Sequence, residues 1–262
     1  MKVPRLCEIL GQFPRLRIAV VGDFFLDKYL LIDPELDEPS VETGLTAYQI
    51  VGKRRSPGAA GTVVNNLKAL GVDSIDAVGM SGVDGEGYEL RTELTRLGVN
   101  QEHFYAVEER FTPTYTKPMV QLPQGPEREL NRLDIKNRKP LPPWVEEKIE
   151  KALESLVERV DAIMIMDQVS QENCGVITDR VRKKIAWLGK NHPAKILYAD
   201  SGGGTDRHLR SGGRRLQRTC CRSVLRGVTN RSGSNRKPRR LDHHQTARNH
   251  RNSQPCPASG GG

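Results

Sequence analysis

The chain has 262 residues, 36% hydrophobic and only 5% aromatic, enough for one generous domain or two small ones. Its formal net charge of +9 is concentrated at one end: residues 1–200 hold 27 Lys and Arg against 30 Asp and Glu, a net of −3, whereas residues 201–262 hold 14 basic residues against Asp206 and Asp242, a net of +12. The basic balance therefore says nothing about the part before Asp200, and no stretch approaches the ~18–20 apolar residues of a membrane span.

Met1–Pro14 lacks the apolar core of a signal peptide. Five cysteines, Cys7, Cys174, Cys220, Cys221 and Cys256, with no export signal, predict free thiols and a cytoplasmic location. In chain order, Leu16–Val21 is a buried-strand candidate ended by Gly22-Asp23. Residues 58–70 open with small residues and continue to Leu67 and Leu70, a helix stopped at Gly71. Ile75–Val78 is a second strand, and Leu90, Leu94 and Leu97 fall on one helical face closed by Gly98. Pro142-Pro143 precede a long helix with Ile149, Leu153, Leu156, Val157 and Val160 on its apolar face. Ala162–Met166 is a third strand. Ile177, Val181, Ile185 and Leu188 mark a helix stopped near Gly189, and Ile196–Ala199 is a fourth strand.

Apolar strands alternating with helices predict an α/β fold: a mostly parallel sheet with helices on both faces. Ligands on such sheets bind beyond the strand C-termini. Those positions carry Gly22-Asp23, Gly79, Asp167 and Asp200. Segments 33–56 and 111–122, rich in Thr, Val, Tyr and Pro without helical period, predict a small β lid or long loops. Residues 201–262 hold no Glu, Phe, Tyr, Trp, Ile or Met. A segment of that composition buries too little apolar surface to offset its ordering entropy, so the expectation is a disordered Arg/Gly/Ser-rich tail.

Three motifs carry chemistry. Gly22-Asp23-Phe24-Phe25-Leu26-Asp27-Lys28-Tyr29 follows the first strand; Asp23 and Asp27 are either acceptors for a polyol's hydroxyls or a cap and a surface acid. Pro57-Gly58-Ala59-Ala60-Gly61 opens a helix with small residues, suiting either close ligand approach to backbone N–H groups or tight helix–sheet packing. Gly79-x-x-Gly82-x-Asp84-x-x-Gly87 is the third.

In this order and spacing, the motifs resemble the PfkB (ribokinase-like) carbohydrate kinases, most of all the heptose-7-phosphate kinase domains of ADP-heptose synthases. Thr114-Tyr115-Thr116-Lys117 and Asn131-Arg132-Leu133-Asp134 are similar to that family's lid strand and the segment after it. The resemblance covers about residues 14–200, a partial kinase domain of residues 1–200 that precedes the tail. It implies ATP-dependent phosphorylation of a sugar or sugar phosphate, with ATP and Mg²⁺ as cofactors. Asp23, Asp27, Gly58, Ala59 and Asn66 would bind the sugar, Asp167 and Asp200 would face the nucleotide phosphates, and a homodimer would form through the lid. One departure bears on the sugar: the family usually has Gly-Gly-Ala-Ala-Asn where this chain has Gly58-Ala59-Ala60-Gly61-Thr62.

The family's base lies in a Gly-Ala-Gly-Asp type motif, preceded by an Asn-x-x-Glu segment, and neither pattern occurs in this sequence. No catalytic residue is therefore assigned, and the chain as given is expected to be inactive. The break at Asp200–Ser201 reads as a reading-frame shift. The rival reading is a catalytically empty sugar-binding domain whose genuine basic tail binds nucleic acid through phosphates. Cys220, Cys221, His243, His244 and Cys256 match no usual zinc spacing.

Overall fold

The computed structural model describes residues 3–122 and 125–201; of the tail expected over 201–262, Ser201 belongs to the last strand and the rest lies outside the described residues. In order these form α1 (Val3–Leu10), β1 (Arg17–Gly22), β2 (Phe24–Ile32), β3 (Glu38–Pro39), β4 (Thr46–Ala47), β5 (Ile50–Ala59), α2 (Ala60–Ala69) and β6 (Ser74–Gly82). There follow α3 (Gly85–Arg96), β7 (Asn100–Val107), β8 (Thr114–Val120), β9 (Arg128–Glu129), β10 (Leu133–Ile135), α4 (Pro143–Arg159), β11 (Ala162–Asp167), α5 (Asp179–Asn191) and β12 (Ile196–Ser201).

The body is a five-stranded sheet in the order β12-β11-β1-β6-β7, and every pairing in it is parallel. Side chains of β1 alternate between its two faces, as strand geometry requires. Ile18 and Val20 join Ala60 and Val64 of α2 and Leu90 and Leu94 of α3. Ala19 and Val21 join Ile149, Leu153 and Leu156 of α4 and Val181, Ile185 and Leu188 of α5. Both faces of β1 are thus dry, which is why the strand reads as a continuous apolar run.

The lid is a second sheet in the order β10-β8-β2-β5, with β9 paired to β8. Only Asp23 separates β2 from β1, and β5 runs directly into α2. The chain therefore passes between body and lid at Asp23, at Ala59-Ala60, at 108–113 and at 136–142. One lid face leans on α3 through ion pairs: Lys28 Nζ lies 3.2 Å from Glu86 Oε1 and 3.0 Å from Glu89 Oε2, and Arg55 Nε lies 2.8 Å from Glu93 Oε1. Burial opposes the Lys28 charge, but Glu89 and Glu86 more than offset it and raise its pKa.

Three details differ from the sequence reading. β2 is a nine-residue lid strand that lies before the lid segments expected at 33–56 and 111–122, because Phe24, Leu26 and Ile32 alternate into the core while Asp27 and Lys28 break the apolar run. β7 carries no apolar run in the sequence because, at the sheet edge, it buries only Phe104 and Val107. Helix α5 continues through the buried Gly189 to Asn191 rather than stopping near it.

Candidate functional site

A cavity of about 320 Å³ opens at the C-terminal edge of the body sheet, beneath the lid. Phe25, Tyr115, Lys136 and Asn137 form its lid side, Asp23 and Met80 come from the body, and the loop after β11 supplies Gln168–Gln171, Cys174 and Gly175. Phe25 and Tyr115 meet edge to face, with ring centroids 5.1 Å apart, and give the cavity an aromatic wall. Lys136 stands at its rim with Nζ 3.3 Å from Asp134 Oδ2 and 5.5 Å from the centre of the Tyr115 ring.

Asp23 is 3% exposed. Its Oδ2 accepts from the backbone N–H groups of Gln168 (2.8 Å) and Val169 (3.1 Å), and its Oδ1 from that of Val176 (2.7 Å). Burial raises its pKa to about 6, against the three N–H bonds, and the nearby Asp167 adds to the rise. A carboxylate has about four acceptor positions, so three donors leave roughly one for a ligand hydroxyl. The family resemblance implies a sugar-binding Asp23; in the fold this side chain also holds the cavity loop.

Asp27 lies two residues beyond Phe25 on the same face of β2 and outside the cavity lining. Its Oδ1 accepts from Lys117 Nζ at 2.9 Å, and Lys117 also reaches the Tyr29 hydroxyl at 3.2 Å. Gly58 lies beneath this pair: a Cβ there would fall 2.5 Å from Asp27 Oδ2. The first two motifs therefore meet across the β2–β5 ladder. Ala59 ends β5 and caps α2 at φ 52°, ψ −115°, a positive-φ conformation in which an alanine is strained and a glycine is not. This is where the family's second glycine is missing. Asn66 is exposed on α2, away from the cavity; its neighbour Asn65 turns to the lid and donates to Ser56 Oγ and the Pro57 carbonyl.

Asp167 ends β11 and accepts from Arg182 Nη2 at 2.8 Å. Asp200 pairs in register with Met166 on the neighbouring β12, exposed, with Gln168 Nε2 3.4 Å from its Oδ2. The two carboxylates thus occupy adjacent strand ends, but among the described residues no group of three or more His, Cys, Asp or Glu forms a metal site. The described residues do not by themselves fit Mg²⁺. Of the cysteines, Cys7 is exposed and Cys174 buried, both as free thiols; Cys220, Cys221 and Cys256 lie outside the described residues.

The third motif anchors the lid. Asp84 caps α3 by accepting from the Gly87 N–H at 2.7 Å and also accepts from the N–H and the hydroxyl of Thr112, at 2.8 and 2.6 Å. Thr112 Oγ1 in turn accepts from the Gly82 N–H. Lys136, Asn137 and the loop 168–175 went unread in the sequence, because each is one residue or one irregular stretch in a wall assembled from separate segments.

An all-parallel sheet with helices on both faces, a lid sheet leaving it at the first strand, and a cavity between them are together decisive for the fold. The chain has the fold of the PfkB-type sugar kinases. A solved candidate phosphofructokinase from Staphylococcus aureus superposes with a TM-score of 0.50 over 70% of this chain and 53% of that one, at 17% identity. In sequence, this chain is 27% identical over 194 residues to the bifunctional protein HldE of Desulfatibacillum aliphaticivorans, a match covering 74% of this chain and 37% of that protein. It is 30% identical over 182 residues to HldE of Coxiella burnetii strain Dugway 5J108-111, covering 67% of this chain and 35% of the relative. The chain thus spans little more than a third of the length of the curated relatives it matches. No protein-family model matches it. Among the described residues no helix is long and apolar enough to cross a membrane.

Proposed function

We propose that the described residues are the sugar-binding part of a PfkB-type carbohydrate kinase acting on a heptose-phosphate-like sugar in the cytoplasm. The observation that carries this reading is the lid-covered cavity at the C-terminal edge of the parallel sheet, with Asp23 at its base, in a chain related to the HldE proteins. The Phe25–Tyr115 wall suits the C–H face of a sugar. The remaining acceptor position of Asp23 takes a hydroxyl, and Lys136 at the rim suits a phosphate. Asp27, held by Lys117 on the same lid face, lies where a larger sugar would extend. By covering the sheet edge, the lid keeps water from the hydroxyl to be phosphorylated, and lids of two chains pair in a homodimer.

ATP would supply the transferred phosphoryl group, with Asp167 and Asp200 at the strand ends nearest it. No residue of this chain is assigned the proton transfer, since the sequence has no Gly-x-Gly-Asp. Turnover is expected only from a chain that also carries that segment. The test is calorimetric titration of the full chain with D-glycero-D-manno-heptose 7-phosphate, the unphosphorylated heptose and inorganic phosphate. Binding of the heptose phosphate, at least tenfold weaker in Tyr115→Ala, is the expected result. Equal binding of all three ligands, or an unchanged constant in the variant, would overturn the reading.

A further inference from the structure

One buried guanidinium joins two of the crossings between body and lid. Arg110, in the link from β7 to β8, is 5% exposed. Its Nη1 donates to the carbonyls of Lys139 and Pro140, in the link from β10 to α4. Its Nη2 donates to the carbonyl of Cys174, in the cavity loop. Beside it, the Asn137 side-chain amide pairs with both backbone groups of Phe111, accepting at 3.0 Å and donating at 2.7 Å. A guanidinium presents its donors in a rigid planar fork, so it can hold several carbonyls at once where a lysine offers a single point charge.

On the other side of the same loop is a buried anion. Arg110 holds the carbonyl of Cys174, and Asp23 accepts the N–H of Val176, two residues on. Between them is Gly175, where a Cβ would lie 2.6 Å from Asp23 Oδ1 and 2.8 Å from the Val169 Cβ. The loop therefore threads between a cation and an anion, its carbonyl turned to one and its N–H to the other. Either charge buried alone would be costly; here each is matched by peptide dipoles and by the other. Burial lowers the pKa of Arg110, while Cys174 and Asp23 act to raise it.

We propose that Arg110 is a positioning residue: it fixes the loop Gln168–Gly175 against the root of the lid and so sets the width of the cavity. Its importance for ligand binding rests on the function proposed above, but the clamp itself does not. Of the charged and titratable groups here, Asp167 at the end of β11, itself held by Arg182 of α5, acts on Asp23, and Cys174 and Asp23 act on Arg110.

The experiment combines amide hydrogen exchange with ¹³C-carboxylate NMR of Asp23 on the full chain, as wild type, Arg110→Met and Arg110→Lys. Arg110→Met is expected to speed exchange at Gln168, Val169 and Val176 about tenfold. It is also expected to move the Asp23 midpoint upward by about half a unit, because a nearby positive charge favouring the carboxylate is gone. Arg110→Lys restores the midpoint but leaves exchange fast, since a point charge does not replace the fork. Wild-type exchange in either variant, or an unmoved midpoint in Arg110→Met, overturns the proposal. Should Arg110→Met fail to fold, exchange in Arg110→Lys decides. Titration with D-glycero-D-manno-heptose 7-phosphate separates the two readings. A clamp that responds as expected in a protein that never binds this sugar leaves Arg110 in its role and removes the proposed function.

Discussion

The body and the lid are held by different forces. Around β1 the body buries apolar side chains on both faces, Ala19 and Val21 against α4 and α5, Ile18 and Val20 against α2 and α3. The lid roots β2 in that same core through Phe24 and Leu26, but its other contacts with the body are directional: Asp84 with Thr112, Arg110 with three carbonyls, Asn137 with Phe111, and Lys28 and Arg55 with the glutamates of α3. Apolar burial is non-directional and responds little to pH or salt. Charged and hydrogen-bonded contacts fix geometry and respond to both. A fold that keeps its scaffold dry and holds the rest of its cover by polar contacts separates stability from the precision of the site.

Four measurements would break or sharpen that contrast. The largest effect belongs to the body: Leu153→Ala empties a fully buried position and should cost about 3 kcal/mol in urea unfolding. A loss under about 1 kcal/mol would mean the core is not packed as described. Next is the pH response of Asp23. Its folded pKa of about 6 lies above the ordinary 3.8, so between these values the folded chain binds more protons than the unfolded one. The stability that this group provides is full below the ordinary 3.8 and is lost as pH rises through about 6. Relative to Asp23→Asn, wild type should therefore lose about 3 kcal/mol between pH 3 and pH 7. A difference independent of pH would show that Asp23 titrates normally.

Smaller still, Ala59→Gly should stabilise the protein by about 1 kcal/mol, because relief of the φ 52° conformation exceeds the added freedom of glycine in the unfolded chain. Destabilisation in a thermal melt would contradict the strain. Smallest is Lys28→Met, expected to cost about 0.5 kcal/mol at low salt and nothing measurable in 1 M NaCl. A salt-independent cost would point to packing rather than to the ion pairs with Glu86 and Glu89.

The same division explains what could be read from the sequence. Strands β1 and β11 and helices α4 and α5 announce themselves because burial on a regular element leaves a period in the residues. Asp23 and Asp167 are legible as strand-end acids for the same reason. The walls of the cavity leave no period: Tyr115, Lys136, Asn137 and the loop 168–175 come from separate stretches joined only by the fold. Arg110 is hidden for another reason. Its partners are backbone carbonyls, which exist at every position and mark none. The Gly79–Gly87 motif was visible, but its role in bolting Thr112 to the start of α3 depends on a residue 28 positions beyond Asp84.

The central claim is that the cavity between Asp23 and the lid is where the sugar binds. Site-resolved amide shift mapping on titration with D-glycero-D-manno-heptose 7-phosphate tests it most directly. The account predicts perturbations concentrated at Phe25, Tyr115, Asn137 and Gln168–Gly175; perturbations confined to other surfaces, or none at saturating sugar, would contradict it.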